Sequence, residues 1–351
     1  MHITFFVGNG FDINLGLKSK YVQFYPYFIN HSSEDNMIRG WIVEDDKKWS
    51  DLEVELGNSL YKVNPDEKEK FIGDLLELQM LLLDYLEEEQ NRITIEGNED
   101  DIANEFVRSF SAITEGFSEE DLDSIVATKK MYTNENSFYS FITFNYTDTL
   151  DRLFKAGKKK KMVIDTHRGT DGEKKTLMGR ICHIHGTIDE GMILGVNDPE
   201  QINNEDLRSD QEFLNAFVKK NLNESTGQRK MKYAEEIIKV SRIICLFGMS
   251  IGDTDKMWWE RIVKWLKDNQ NCKLIIFHRS SDEEKRQKRR NLPVAVNTVN
   301  NKLKEKFLKK GGLSSETEGY DEIAKRVIIS YDVNIFDFGS CGILDTDKEK
   351  A

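Results

Sequence analysis

The chain opens on Ile3-Thr4-Phe5-Phe6-Val7, a β-branched and aromatic run suited to a buried strand, and turns at once at Gly8 and Gly10. Two glycines so placed permit a tight turn and a close approach of backbone to a ligand. Ser19, an N-cap residue type, predicts that the next helix begins beside it. From Lys20 to about Asn134 the pattern is mostly helical. Its clearest stretch, Phe71 to Leu86, keeps an apolar stripe at helical spacing, with Pro65-Asp66-Glu67 as a plausible first turn. Only 4 prolines occur in 351 residues, which suits long helices. The stretch 20–135 reads as an α-helical insertion that covers a sheet or forms an interface, its stripe better taken as core.

Beyond it the pattern alternates. Strands are predicted at Phe138–Phe144, Met162–Asp165, Arg180–Ile184, Arg242–Phe247, Lys273–Phe277 and Val327–Ser330. Helices are predicted at Asp148–Lys155 with Leu150 and Leu153 inward, at Tyr233–Lys239 and at Trp258–Lys267, and another starts within Ser281–Arg290. The polar stretch 197–226 reads as a lid or surface segment with one helix near Asp210–Lys220, and 311–319 as a loop. Strands alternating with helices predict an α/β fold, a doubly wound and mostly parallel sheet, in one domain over 1–351. No internal repeat is visible.

Hydrophobic residues make 38% of the chain and charged ones 32%, as in a charged-surface protein with a real core. No apolar stretch reaches bilayer length, and the amino terminus shows no signal-peptide pattern, so no membrane partner is expected. The net charge of −12 disfavours broad nucleic-acid binding. The basic clusters Lys158–Lys161 and Lys285–Arg290 fit solvated faces better than anion sites. Cys182, Cys245, Cys272 and Cys341 stand singly, which suggests neither a zinc ribbon nor a disulfide framework. Cys182 and Cys245 lie in apolar runs and read as buried small hydrophobes, and a reducing cytoplasm is the natural setting.

Four segments each follow or end an apolar run: Gly8 to Asp12, Thr143 to Thr147, His183 to Gly186, and Gly248 to Asp253. Open α/β sheets bind ligands at such strand ends. Gly8 and Gly10 are expected to offer backbone amides to phosphates, and Asp12 to accept from a ribose hydroxyl or a carboxamide. Asn145 carries donor and acceptor together, as positioning a water or a ribose requires; it could instead cap the helix near Asp148. His185, followed by an accessible glycine, is the general-base candidate. Ser250 and Asp253 are placed to hold further hydroxyls. His183 and His185 share a strand face, but no carboxylate stands near them at a metal-binding spacing, so no metal is expected. Trp258 and Trp259 read as core.

Gly8-Asn9-Gly10-Phe11-Asp12, Trp49-Ser50-Asp51-Leu52-Glu53, Thr143 to Thr147, His183 to Gly186 and Gly248-Met249-Ser250 together resemble the AbiH family of bacterial phage abortive-infection proteins, along nearly the whole chain. That family in turn is similar to the sirtuin-like NAD hydrolases of anti-phage defence. There a Gly-x-Gly loop, a Thr-x-Asn strand end and a His-Gly pair form the NAD pocket. The resemblance implies a Rossmann-like, sirtuin-like fold and an NAD or related nucleotide glycohydrolase, with NAD as substrate and no cofactor. Taken with the strand-end reading above, it gives His185, Asn145 and Asp12 as the expected catalytic residues, and Gly8, Asn9, Gly10, Phe11, Thr143, Gly186, Gly248, Ser250 and Asp253 as the expected nucleotide contacts. A second copy of the chain or a phage trigger is the further partner it suggests. Thr147 stands where sirtuins carry an aspartate, with Asp148 one step late. The zinc-binding cysteines of deacylating sirtuins have no counterpart. A nucleotide-sensing or phage-sensing module without turnover is the second reading. A metal-dependent nuclease, for which Asp253 and Asp255 are the nearest carboxylates, is the third.

Overall fold

The computed structural model describes residues 1–225, 229–290 and 292–345. Seven strands form one sheet: β1 (His2–Val7), β2 (Ser137–Thr143), β3 (Val163–Gly169), β4 (Gly172–His183), β5 (Ser241–Phe247), β6 (Lys273–His278) and β7 (Val327–Tyr331). Their order is β3-β4-β2-β1-β5-β6-β7. Every neighbouring pair is parallel except the β3–β4 hairpin. The expected α/β class and mostly parallel sheet are therefore present.

The helices are α1 (Gly10–Asn14), α2 (Tyr21–His31), α3 (Met37–Glu44), α4 (Leu52–Ser59), α5 (Lys68–Gln90), α6 (Glu99–Ser111), α7 (Glu119–Lys130) and α8 (Thr149–Lys160). After β4 come α9 (Glu205–Ser209), α10 (Gln211–Phe217), α11 (Lys219–Ser225) and α12 (Lys230–Val240). The chain continues with α13 (Lys256–Asp268), α14 (Asp282–Arg290), α15 (Leu292–Lys310) and α16 (Tyr320–Ala324).

Alternation along β1 sends Phe5 to one face of the sheet and Phe6 to the other, which builds a core on each side. Phe5 packs with Phe106 and Phe110 of α6 and Leu153 of α8 in one core. Phe6 joins Trp258, Trp259 and Ile262 of α13 in the other, so the two tryptophans are core residues, as expected. Cys182 and Cys245 are also buried.

The helical stretch before β2 divides. Its later helices α6 and α7 contribute to the sheet core, while α2 to α5 form a third core. Ile202, Leu207, Phe213, Phe217 and Val218 belong to that third core and are fully buried, so the segment after Asn197 packs short helices against α2 to α5. Residue 226, its expected end, lies outside the described residues.

From β1 the strands proceed to β2 and β4 on one side, and to β5, β6 and β7 on the other. The order reverses between β1 and β5, the place where an open α/β sheet leaves a crevice at its carboxyl edge. Here the two loops are pressed together. A Cβ on Gly10 would lie 2.4 Å from Gly248 Cα, and Gly248 itself has φ +65°, so neither position has room for a side chain. The helix expected beside Ser19 is α2, which begins at Tyr21 with Lys20 as its N-cap, and the short α1 precedes it directly after the turn. Ser19 bonds the Asn9 side chain through its hydroxyl.

Candidate functional site

The carboxyl ends of β1, β2 and β5 and the loop after β4 open into one cavity of about 700 Å³. Gly8, Asn9, Gly10 and Asp12 line it from the β1 loop, Asn145 and Thr147 from the β2 loop, His185 from beyond β4, and Gly248 and Ser250 from the β5 loop. The opposite wall comes from the third core's helices: Tyr21, Ser50, Asp51, Glu53 and Lys219. Trp49 to Glu53 thus brings a fifth motif to the same space as the four strand-end segments.

Asp12 is 1% exposed. Its Oδ2 accepts from the Thr147 hydroxyl at 2.7 Å, and among the described residues Oδ1 has no partner. Burial lifts its pKa from 3.8 to about 6, against the opposing pull of the Thr147 hydroxyl and, after it, of the neighbouring Asn145 amide. Asp12, in α1, thus sets a buried carboxylate beside Thr147. Asp148 turns away to pair loosely with Arg152.

Asn145 is buried, and among the described residues neither atom of its amide has a hydrogen-bond partner. It does not cap α8, whose first residue is Thr149 and whose N-cap residue is Asp148. Its backbone is held instead: the N–H donates to Thr143 Oγ1 at 3.2 Å, and the carbonyl faces His183 Nδ1 at 3.2 Å. His183 Nε2 lies 2.5 Å from Asp151 Oδ2.

His185 is 6% exposed, with Asp255 Oδ1 3.5 Å from Nε2, too long for a hydrogen bond of normal strength. Burial first, and Lys219 second, bring its pKa down to about 4, a fall that Asp255 only partly offsets. The imidazole is therefore neutral near pH 7, with a lone pair available. Both histidines have a carboxylate neighbour after all, each from a distant part of the chain. Among the described residues no three His, Cys, Asp or Glu side chains form a group able to hold a metal ion.

Glu53 and Lys219 form a buried ion pair at 2.6 Å, their side chains 7% and 5% exposed. Burial still raises Glu53 to about 7 despite Lys219. No sequence motif pointed to this pair, because its members are 166 positions apart.

Several expected contact groups are engaged within the protein instead. The N–H groups of Gly8 and Gly10 donate to Phe247 O and Gly248 O, at 3.1 and 2.8 Å. They hold the β1 and β5 loops together and are not aimed at a phosphate. Phe11 is fully buried among Phe247, Phe336 and Phe338, so it anchors α1. Thr143 acts on the cavity only through Asn145. Gly186, at φ +78°, sits so close to Gly191 that a Cβ would meet its carbonyl at 1.8 Å. Asp253 is exposed and pairs with Lys310, whereas Asp255 lines the cavity, so the two do not converge on one metal position.

Residues 4–278 match the family described as Bacteriophage abortive infection AbiH. The chain belongs to the AbiH family. That match runs from within β1 to the end of β6 and takes in every residue of the cavity, and it assigns the protein a role in bacteriophage abortive infection. No curated protein matches the chain. No helix among the described residues is long and apolar enough to cross a membrane.

Proposed function

We propose that this AbiH protein cleaves the N-glycosidic bond of NAD or a closely related nucleotide. One observation carries the reading: Asp12 Oδ1, both amide atoms of Asn145 and both ring nitrogens of His185 are buried, line one cavity, and make no well-formed hydrogen bond among the described residues, with Asn145 beside Asp12 and Asp255 3.5 Å from His185 as their nearest polar neighbours. Buried polar atoms are nearly always paired, so a group of five facing one space calls for a polar ligand there.

In the proposed reaction the C1′–N bond breaks, and its electron pair goes to the pyridinium nitrogen, which leaves as neutral nicotinamide. The ribose becomes oxocarbenium-like. Asp12, ionised above about pH 6, stabilises that positive charge from the β1 loop. Asn145 holds a ribose hydroxyl or the attacking water. Neutral His185 takes the proton from the water or the hydroxyl as the new C–O bond forms, leaving ADP-ribose. The leaving ring already carries positive charge, so the step requires no Lewis acid.

Incubation of the purified protein with NAD and other nucleotides, with and without EDTA, followed by mass analysis of the products, tests the reading. Nicotinamide and ADP-ribose in equal amounts, undiminished by EDTA, are expected. Saturable binding of NAD with no product would favour a sensing module. Loss of turnover on chelation, restored by a divalent ion, would reject the mechanism.

A further inference from the structure

The cavity wall facing the sheet is acidic. Asp51 and Glu53, at the start of α4, and Asp255, in the loop before α13, line it, and Asp12 closes it on the β1 side. Against these four carboxylates stand Lys219, bound to Glu53, and Lys20 at the exposed rim. Burial raises the pKa values of Asp12, Asp51 and Glu53, and Asp51 and Asp255 each add to the rise at Glu53, as close like charges do. Tyr21, Phe144 and Tyr146 line the same space. An acidic cluster alone identifies no ligand. Here the Asn145 amide, 7% exposed, and the His185 ring, 6% exposed, line the cavity and make no well-formed hydrogen bond among the described residues, their nearest polar neighbours being the Asp12 and Asp255 carboxylates of the same cavity.

We propose that Asp51, Glu53 and Asp255, with Tyr21, Phe144 and Tyr146 beside them, form a recognition site for a cationic heteroaromatic ring, so that the cavity prefers N-alkylpyridinium nucleotides to those with neutral bases. A delocalised cation gains from nearby carboxylates and from aromatic faces, and loses less hydration than a compact ammonium would. A neutral purine, a pyrimidine or a reduced dihydropyridine gains neither. The choice of substrate class rests on the glycohydrolase reading above, whereas the ring site itself does not. It also gives the helical third core a part in the chemistry, because two of the three carboxylates come from it.

The test is calorimetric binding of N1-methylnicotinamide, a cation, and nicotinamide, its neutral counterpart, to the full chain and to Asp51→Asn and Asp255→Asn. Asparagine keeps the N-cap that Asp51 gives α4 through Val54 N–H. The cation is expected to bind on the order of tenfold or more tighter. Both substitutions are expected to erase that preference while leaving nicotinamide affinity unchanged, and added salt to weaken only the cation. Equal binding of the two probes by the native chain, or a preference that survives both substitutions, would overturn the proposal. Parallel NAD assays separate the two readings. Cation preference in a protein that leaves NAD intact supports the ring site and rejects glycohydrolase activity; NAD cleavage without the preference does the reverse.

Discussion

Replacing Asp12 with asparagine should stabilise the protein and abolish its activity together. The carboxyl is 1% exposed, and burial raises its pKa from 3.8 to about 6. Because the folded pKa is the higher one, the folded protein keeps a proton that the unfolded chain sheds between those values. Stability therefore falls as pH rises through that window, and the full penalty applies above pH 6. Two pKa units correspond to roughly 3 kcal/mol, of which about half is present at about pH 5 and nearly all at about pH 8. Asparagine is nearly the same shape, carries no charge, and can still accept the 2.7 Å bond from Thr147. Urea unfolding of the native chain and of D12N at the two pH values measures the difference. D12N should be the more stable, its advantage growing by roughly 1 to 2 kcal/mol from about pH 5 to about pH 8. NAD turnover should disappear, since the carboxylate assigned to stabilise the oxocarbenium is then gone. An advantage that stays flat with pH, or a folded D12N that turns over at the native rate, would refute the reasoning.

His185→Ala should lower turnover on the order of a hundredfold or more while the melting temperature changes little, since the ring makes no hydrogen bond of normal strength; steady-state rates and calorimetry check both. Lys219→Met should destabilise the protein by about 3 to 5 kcal/mol, because it leaves Glu53 buried without its counter-ion. That loss should grow as pH rises through 7 and be largely removed in the double variant Glu53→Gln/Lys219→Met, as denaturation at two pH values would reveal. Gly10→Ala should force the β1 and β5 loops apart, costing about 1 to 3 kcal/mol and weakening ligand binding; a variant with native melting temperature and affinity would contradict the packing described.

The strands were legible because Phe5, Phe6 and their counterparts in β2, β5 and β6 form short apolar runs bounded by turn residues. Strand-end loops could be found for the same reason, and the topology brings them together. The β3–β4 hairpin is longer than the apolar pattern indicates, because Gly172 to Gly179 is polar and half exposed, without the unbroken apolar run of a central strand. Pattern could not tell that the glycine amides are consumed between loops, since this depends on how closely β1 and β5 approach. Nor could it pair Glu53 with Lys219, Thr147 with Asp12, or His185 with Asp255. Each pair joins distant segments, and burial alone makes its charge chemistry unusual. Asp253 and Asp255 follow the same strand two residues apart, and only the turn decides that the first pairs with Lys310 and the second lines the cavity.

The glycosidic bond is the central claim, and isotope placement tests it most directly. The protein is incubated with NAD in water enriched in heavy oxygen, and the products are separated by mass. Cleavage at the C1′–N bond predicts unlabelled nicotinamide and ADP-ribose carrying one heavy oxygen at the anomeric carbon. Label in a phosphate of AMP or of nicotinamide mononucleotide would mean attack on the pyrophosphate, and would contradict the roles assigned to Asp12, Asn145 and His185.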